Sequence, residues 1–242
     1  HNLMKTIIII PSRMSSSRFP NKPMALIDET PMIQRVWQQA KSSNIGPVVV
    51  ACCEKEVFDL IVSIGGKAIM TAPELPSGTD RVFDAIKKFP DASSFDCIIN
   101  LQGDMPIINP NDIIKVNKPI IQGFDIGTLV TNISKKEEKN LNITKAKIKW
   151  IKNESFGEAL DFYKLPKNII ENIYHHVGIY SFRYESLKRF VELNPSPNEI
   201  YHKLEQWRAL DDKMSIGVNF VENVPLSVDT EEDLINVENI IK

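Results

Sequence analysis

Residues 5–24 read KTIIIIPSRMSSSRFPNKPM: an apolar run that stops at Pro11 and gives way to a polar loop carrying two arginines, a lysine and three adjacent serines. A β-branched run without polar alternation is the pattern of a parallel strand buried on both faces. In open α/β sheets the crevice beyond the carboxyl ends of the strands is the usual ligand site, so a ligand is expected at this loop. Arg13 and Arg18 each offer a planar fork of donors and Lys22 a mobile point charge, a combination suited to the several charges of a polyphosphate. By composition alone, the same loop is equally a solvated basic connection after an edge strand.

Outward from this stretch, strand-like runs at 5–10, 48–52 and 97–101 alternate with helix-like segments, the signature of a parallel sheet covered on both faces. A first helix is expected with Thr30 as N-cap, Pro31 at the first helical position, and Ile33, Val36 and Trp37 on one face. A second is expected over 54–64, with Val57, Leu60, Ile61 and Ile64 at three- and four-residue spacing and Gly65-Gly66 as its stop, before a short strand at 67–70. From about Asp125 the candidate strands become shorter (126–130, 146–151, 177–182), with a polar, lysine-rich stretch at 135–142 between the first two. That change predicts an inserted mixed sheet, spanning about 125–200, within a single domain of residues 4–242. Helices over 184–193 and 199–210, a strand near 216–221 and a final helix after Asp229 complete the pattern.

The 242 residues are 43 % hydrophobic and 25 % charged with a net charge of -2, which is ordinary for a globular protein and gives no electrostatic reason to expect nucleic-acid or membrane partners. No segment approaches the roughly 20 continuous apolar residues of a membrane helix, and the first residues lack a signal-peptide layout, so a cytoplasmic location is expected. His1, Asn2 and Leu3 precede Met4, the expected start of the native chain. Cys52 and Cys53 are adjacent in a β-branched apolar run without a second CxxC or a histidine cluster, and read as reduced core thiols.

Three more segments carry candidate chemistry. In Ser77-Gly78-Thr79-Asp80-Arg81, Gly78 lets the backbone approach a ligand, while Ser77 or Thr79 is an equally good N-cap for a helix over 82–89. Residues 98–106, IINLQGDMP, form a buried strand whose carboxyl end carries Asp104, in position to hold a hard cation or, as readily, to cap a turn. Asp229 begins a segment, DTEEDL, in which Glu232 three residues on makes a capping-box-like helix start. Neither a Walker P-loop nor a GxGxxG fingerprint occurs.

The loop of residues 7–24 resembles the IIPAR-x-x-S-x-R-x-P-x-KPL signature of the 3-deoxy-manno-octulosonate cytidylyltransferases (CMP-Kdo synthetases). The other segments are similar to that family's SGT[ED]R, VQGDEP and GVDTPEDL motifs; His176-Val177-Gly178-Ile179-Tyr180-Ser181-Phe182-Arg183 resembles HxGIYxYR, and Leu204-Glu205-Gln206-Trp207-Arg208 resembles LEQLR. The resemblance implies a Rossmann-like (GT-A-like) α/β nucleotidyltransferase with a mixed, mostly parallel sheet flanked by helices, and an inserted smaller mixed sheet used for homodimerisation. It implies transfer of CMP from CTP to an acidic 3-deoxy sugar with Mg²⁺, for lipopolysaccharide biosynthesis. Carried over residue by residue, Arg13, Ser15, Arg18, Lys22, Ser77, Gly78, Thr79, Arg81 and Gln102 meet the nucleotide, and Asp104 and Asp229 hold the metal. Gln102, Lys164, His176, Tyr180, Glu205 and Gln206 meet the sugar acid, with His175 an ordinary strand or surface residue. Two departures stand out: Asp161-Phe162-Tyr163-Lys164 replaces YFSR, exchanging an arginine fork for a lysine, and Cys52-Cys53 replaces Thr-Asp. A sister cytidylyltransferase for a nine-carbon sialic-type acid and a non-catalytic nucleotide-binding relative are the alternatives.

Overall fold

The computed structural model describes residues 4–153, 155–168 and 171–242, with His1, Asn2 and Leu3 outside the described residues. The chain divides into two compact units, a first of residues 5–114 with 225–242 and a second of Lys115–Val224 with Met4. Among the described residues no helix is long and apolar enough to cross a membrane.

The first unit is built on the isoleucine run. Strand β1 (Thr6–Pro11) is buried at every position. Two short strands, β2 (Leu26–Ile27) and β3 (Thr30–Pro31), form a ribbon after it, and β4 (Val48–Cys52), β5 (Lys67–Met70) and β6 (Cys97–Asn100) follow. The sheet order is β5-β4-β1-β6 and all its pairings are parallel, with Ile8 opposite Val48 and Ile99. Full burial of β1, β4 and β6 is what a sheet covered on both faces requires, so their sequences show no polar alternation.

Helix α1 (Met32–Ser43) starts later than the sequence predicts. Thr30 is not its N-cap, because Thr30 pairs with Ile27 across a tight turn in which Asp28 and Glu29 both take positive φ (46° and 68°). Pro31 occupies the cap instead, and Met32, Ile33, Val36 and Ala40 form the buried face while Trp37 is only partly covered. Helix α2 (Lys55–Ser63) ends as expected: Gly65 has φ 86°, and the N–H groups of Gly65 and Gly66 donate to Val62 and Ile61 carbonyls. Helix α3 (Gly78–Lys87) begins four residues before the expected 82 because Ser77 caps it, accepting from the Asp80 N–H at 3.2 Å; Thr79 lies inside the helix and is not the cap.

The C-terminal helix Glu231–Ile241 corrects a second cap. Thr230 and Asp233 form the capping box, and the Asp233 carboxylate accepts from the N–H groups of both Asp229 and Thr230, so Glu232 has no part in it. Val237 of this helix packs with Val228, Phe19, Ile27 and Met32 in one apolar cluster.

The second unit contains β7 (Ile126–Thr131), β8 (Lys145–Lys152), β9 (Phe156–Tyr163), β10 (Ile173–Phe182) and β11 (Ile216–Phe220). They run in the order β10-β7-β11-β9-β8, and the first residues of β10 also pair with the start of β8. Only the β7–β11 pairing is parallel among these. Strand β9 is absent from the sequence reading because its inward positions include Gly157 and Ala159 while Leu160 faces solvent, which inverts the usual apolar alternation. The polar stretch at 135–142 contains a one-turn helix, Lys135–Lys139, closed by a Ser134–Glu137 capping box. The single helix expected over 199–210 is two, Pro197–His202 and Gln206–Asp211, broken where Lys203 takes φ 57°. The bidentate Arg208–Glu199 ion pair, at 2.7 and 2.9 Å, joins the two pieces.

Gly46 precedes β4 at a point where an added Cβ would lie 1.9 Å from the Thr6 carbonyl oxygen. Gly46→Ala must push β1 and the 46–48 turn apart, and is expected to lower the unfolding free energy by about 1–3 kcal/mol in urea titration; an unchanged midpoint would mean the turn moves freely.

Candidate functional site

A cavity of about 280 Å³ opens in the first unit beyond the carboxyl end of β1, walled by the start of α3 and the loop after β6. Arg13, Ser15, Lys22, Ser77, Gly78, Arg81, Gln102 and Asp104 line it. The polar loop that brings Arg13 and Lys22 here is held by Phe19, which is buried in the cluster with Val228 and Val237. Main-chain bonds close the loop on itself: Asn21 N–H to the Met14 carbonyl at 2.9 Å, and Ala25 N–H to the Lys22 carbonyl at 3.0 Å across a 3₁₀ turn that begins at Lys22. Arg18 is exposed and is not among the cavity-lining residues.

Thr79 and Arg81 both have hydrogen-bond partners within the protein. Thr79 is buried and accepts from the Asn100 amide, which in turn accepts from Gln102 Nε2 at 3.1 Å; the Gln102 carbonyl oxygen is the end left nearest Gly78. Arg81 is 2 % exposed, and its guanidinium donates to Thr71 Oγ1 and to the carbonyls of Ala72 and Pro73. Its position fixes the connection from β5 to α3 and so the cavity wall.

Two acids distant in sequence come together at the cavity. The Val228 N–H donates to the Asp104 carbonyl at 2.8 Å, which sets Asp229 beside Asp104, and Lys22 Nζ lies 3.9 Å from Asp229 Oδ1. Burial pushes the Asp104 carboxyl up to about 6, opposed by Lys22 and reinforced by the negative charge of Asp229. Two mutually repelling carboxylates, one of them desolvated, form a donor set of hard oxygens that fits a hard divalent cation. At the end of β4, burial pushes Cys52 up to about 12 and Cys53 up to about 11, the latter also through its hydrogen bond to Glu54. Both therefore stay thiols, and all three cysteines are free.

In the second unit, β10 carries His176 and Tyr180 on either side of a bulge between Val177 and Tyr180. The Thr128 hydroxyl donates to the Ile179 carbonyl exposed by that bulge, at 2.7 Å, so its oxygen accepts from His176 Nε2 at 2.9 Å. His176 is thus a neutral ring with its proton on Nε2; burial first and then His175 push it down to about 3, leaving Nδ1 as an acceptor. Tyr180, with ring centroid 5.6 Å from that of His176, is pushed upward by burial and then by Glu205, and stays protonated. Gln206 is 6 % exposed and its buried Nε2 has no hydrogen-bond partner among the described residues. Gly178, within the bulge, leaves open space where a Cβ would sit. Lys164 lies one residue past β9 and is half-buried. His175 points its Nδ1 at Glu137 at 3.1 Å.

The sequence reading missed Ser12. It is 6 % exposed, lines the cavity and has a hydroxyl oxygen without a hydrogen-bond partner among the described residues. The position directly after a buried strand and before Arg13 was the available signal. For the bulge the available signal was Gly178, an isolated glycine inside the strand-like HHVGIYSF.

The sequence profile described as "Cytidylyltransferase" matches residues 7–216. A 3-deoxy-manno-octulosonate cytidylyltransferase of Paramagnetospirillum magneticum is 44 % identical over 240 residues, covering 98 % of this chain and 97 % of the relative. The protein of the same name from Rickettsia felis is 41 % identical over 230 residues, covering 94 % and 91 %. Among solved structures, a CMP:2-keto-3-deoxy-manno-octonic acid synthetase complexed with CTP superposes with a TM-score of 0.88 at 32 % identity over 98 % of each chain. A UDP-glucose pyrophosphorylase bound to UDP-glucose gives a TM-score of 0.70 at 13 % identity over 98 % of each chain, a likeness of fold.

Because the folded protein keeps the Asp104 proton up to about pH 6 while the ordinary value is 3.8, the folded state binds more protons between those values and loses stability as pH rises through them. In EDTA, Asp104→Asn is expected to raise the unfolding free energy at pH 8 by about 1–3 kcal/mol and to flatten its fall between pH 4 and 7. Parallel pH profiles for the two proteins, followed by urea unfolding, would count against a desolvated carboxylate.

Proposed function

This chain belongs to the cytidylyltransferase family, and from that premise we propose that it couples CTP to 3-deoxy-D-manno-octulosonate, giving CMP-Kdo and pyrophosphate for lipopolysaccharide synthesis. The observation that carries the reading is the meeting of Lys22, Asp104 and Asp229 beside a cavity walled by the basic loop.

In this reaction the anomeric hydroxyl of the sugar acid attacks the α-phosphorus, the bond to the β-phosphate bridging oxygen breaks, and pyrophosphate leaves without a covalent protein intermediate. Arg13 and Lys22 hold phosphate oxygens, and Arg18, out on the exposed part of the loop, adds to the field that draws in the polyphosphate. Ser15, Ser77, Gly78 and Gln102 line the nucleotide's place, whose wall Thr79 and Arg81 keep. Asp104 and Asp229 would hold Mg²⁺, which when bound neutralises phosphate charge and acidifies a bound hydroxyl. On the sugar side, neutral His176 accepts from a hydroxyl at Nδ1, Tyr180 and Gln206 donate, Glu205 accepts, and Lys164 faces the sugar carboxylate as a point charge. The reading implies a cytoplasmic enzyme. It also implies a homodimer formed through the inserted region at 125–200, where Leu141, Ile151, Leu160 and Leu165 are exposed; a light-scattering mass of one chain at micromolar concentration would refute the dimer.

Lys164 in place of the family's arginine is the one observation that favours a second reading, a cytidylyltransferase for another sugar acid such as a nine-carbon sialic type. Pyrophosphate release is to be measured with CTP, UTP or ATP against a panel of sugar acids, with and without EDTA. Release confined to CTP with the octulosonate and lost in EDTA is the expected result; release with a different sugar acid moves the substrate, and none with any acid leaves a non-catalytic nucleotide binder. Asp229→Asn is expected to keep the fold, since Thr230 and Asp233 supply the cap, and to slow turnover by about 10²–10³; wild-type turnover would remove Asp229 from the site.

A further inference from the structure

We propose that Trp207 and Lys145 are positioning residues for the acidic sugar, clamping residues 162–164 from two sides so that Lys164 and His176 are held in register with the Glu205–Gln206 turn. The proposal rests on the assignment of Lys164 and His176 to the sugar.

The need for a clamp follows from the strand ladder. Pairing between β8 and β9 ends at Lys145 opposite Tyr163, so Lys164 stands one residue beyond the last ladder position, and residues 165–168 after it are exposed. Lys145 supplies what the ladder lacks. Its Nζ donates to the Lys164 carbonyl at 2.6 Å and to the Asn140 carbonyl at 2.7 Å, while the residue is 1 % exposed. Burial lowers the Lys145 ammonium's affinity for its proton, offset in part by the Glu138 carboxylate, and an apolar side chain of similar volume would pack with less desolvation. What the ammonium provides is a fixed distance between two segments that no strand pairing joins.

Trp207 acts one residue earlier on the other side. Its indole N–H donates to the Phe162 carbonyl at 2.8 Å, and its ring stacks on His202 with centroids 5.4 Å apart and planes 12° from parallel, which holds the indole in one orientation. Phe162 is itself fully buried and meets the His176 ring edge-on at 5.1 Å. Trp207 follows Glu205 and Gln206 directly, so one hydrogen bond links the start of the Gln206–Asp211 helix, the end of β9 and the ring on β10. A shift of that junction moves Lys164, His176 and the Glu205–Gln206 turn, while Arg13, Lys22, Ser77 and Gly78 lie in other segments of the chain.

The test is steady-state kinetics of Trp207→Phe, which keeps a ring and removes the N–H donor, beside Lys164→Met and the double variant, with urea unfolding as the fold control. Trp207→Phe is expected to raise KM for the sugar acid about three- to tenfold, the scale of one lost hydrogen bond, with KM for CTP within about twofold of wild type. The double variant is expected to be less impaired than the product of the single effects, since the clamp works in part through Lys164. An unchanged sugar KM in Trp207→Phe, equal rises in both KM values, or full additivity would overturn the proposal. Should Trp207→Phe not fold, Lys145→Met carries the same comparison with the same required split. If Lys164→Met leaves the sugar KM unchanged, the assignment of Lys164 fails; if Lys164→Met raises it while Trp207→Phe does not, that assignment stands and the clamp falls.

Discussion

Asp104 is a carboxylate kept partly out of water next to a second carboxylate, and much of the first unit's arrangement serves to hold that unfavourable pair in place. A lone buried acid of this kind protonates or pulls in water. Here Lys22 offsets part of the repulsion from one side, and the Val228 hydrogen bond to the Asp104 main chain prevents the two segments from separating. The apolar cluster of Phe19, Ile27, Met32, Val228 and Val237 supplies the holding force, since each such side chain contributes about 1.5–3 kcal/mol when buried. It draws on the basic loop, α1 and the C-terminal segment together. Geometry at the acids is therefore set in part by hydrophobic packing, Val228 directly before Asp229 included.

The second unit solves an opposite problem. Three of its candidate sugar-facing groups are neutral: His176 has lost its proton to burial, Tyr180 keeps its own, and Gln206 presents an amide. Neutral donors and acceptors discriminate hydroxyl patterns, because a buried polar group left unmatched by the wrong ligand costs about as much as a lost hydrogen bond. The bulge in β10 makes this possible by exposing carbonyls that Thr128 then uses to fix the histidine tautomer. The candidate charges are those of Glu205 and Lys164, and Lys145 and Trp207 tie the main chain at residues 162–164.

Legibility in the sequence followed the range of the forces involved. The isoleucine run, the Val48–Cys52 strand and the Gly65-Gly66 stop were all readable, because full burial and positive φ leave marks within a few residues. Caps were harder. Thr30, Thr79 and Asp229 each have the right chemistry for a cap, yet a ribbon pairing, an earlier Ser77 and a Thr230–Asp233 box took those roles. Several capping residues lie close together in each segment, and which one wins depends on the angle at which the helix docks.

The sequence by itself determined a parallel α/β core, the position of a basic loop at a strand end and the residue types of two well-separated acids, since these depend on local periodicity and on motifs of fixed spacing. Tertiary structure alone decided that Asp229 comes beside Asp104 and Lys22 at the cavity's edge, that Arg81 braces a wall, that Arg18 stays outside, and that the helix near Glu205 breaks at Lys203. The physical reason is that a side chain's direction, its desolvation and the pairing of its polar atoms are set by residues far away in the chain. Hydrophobic pattern carries no record of those partners.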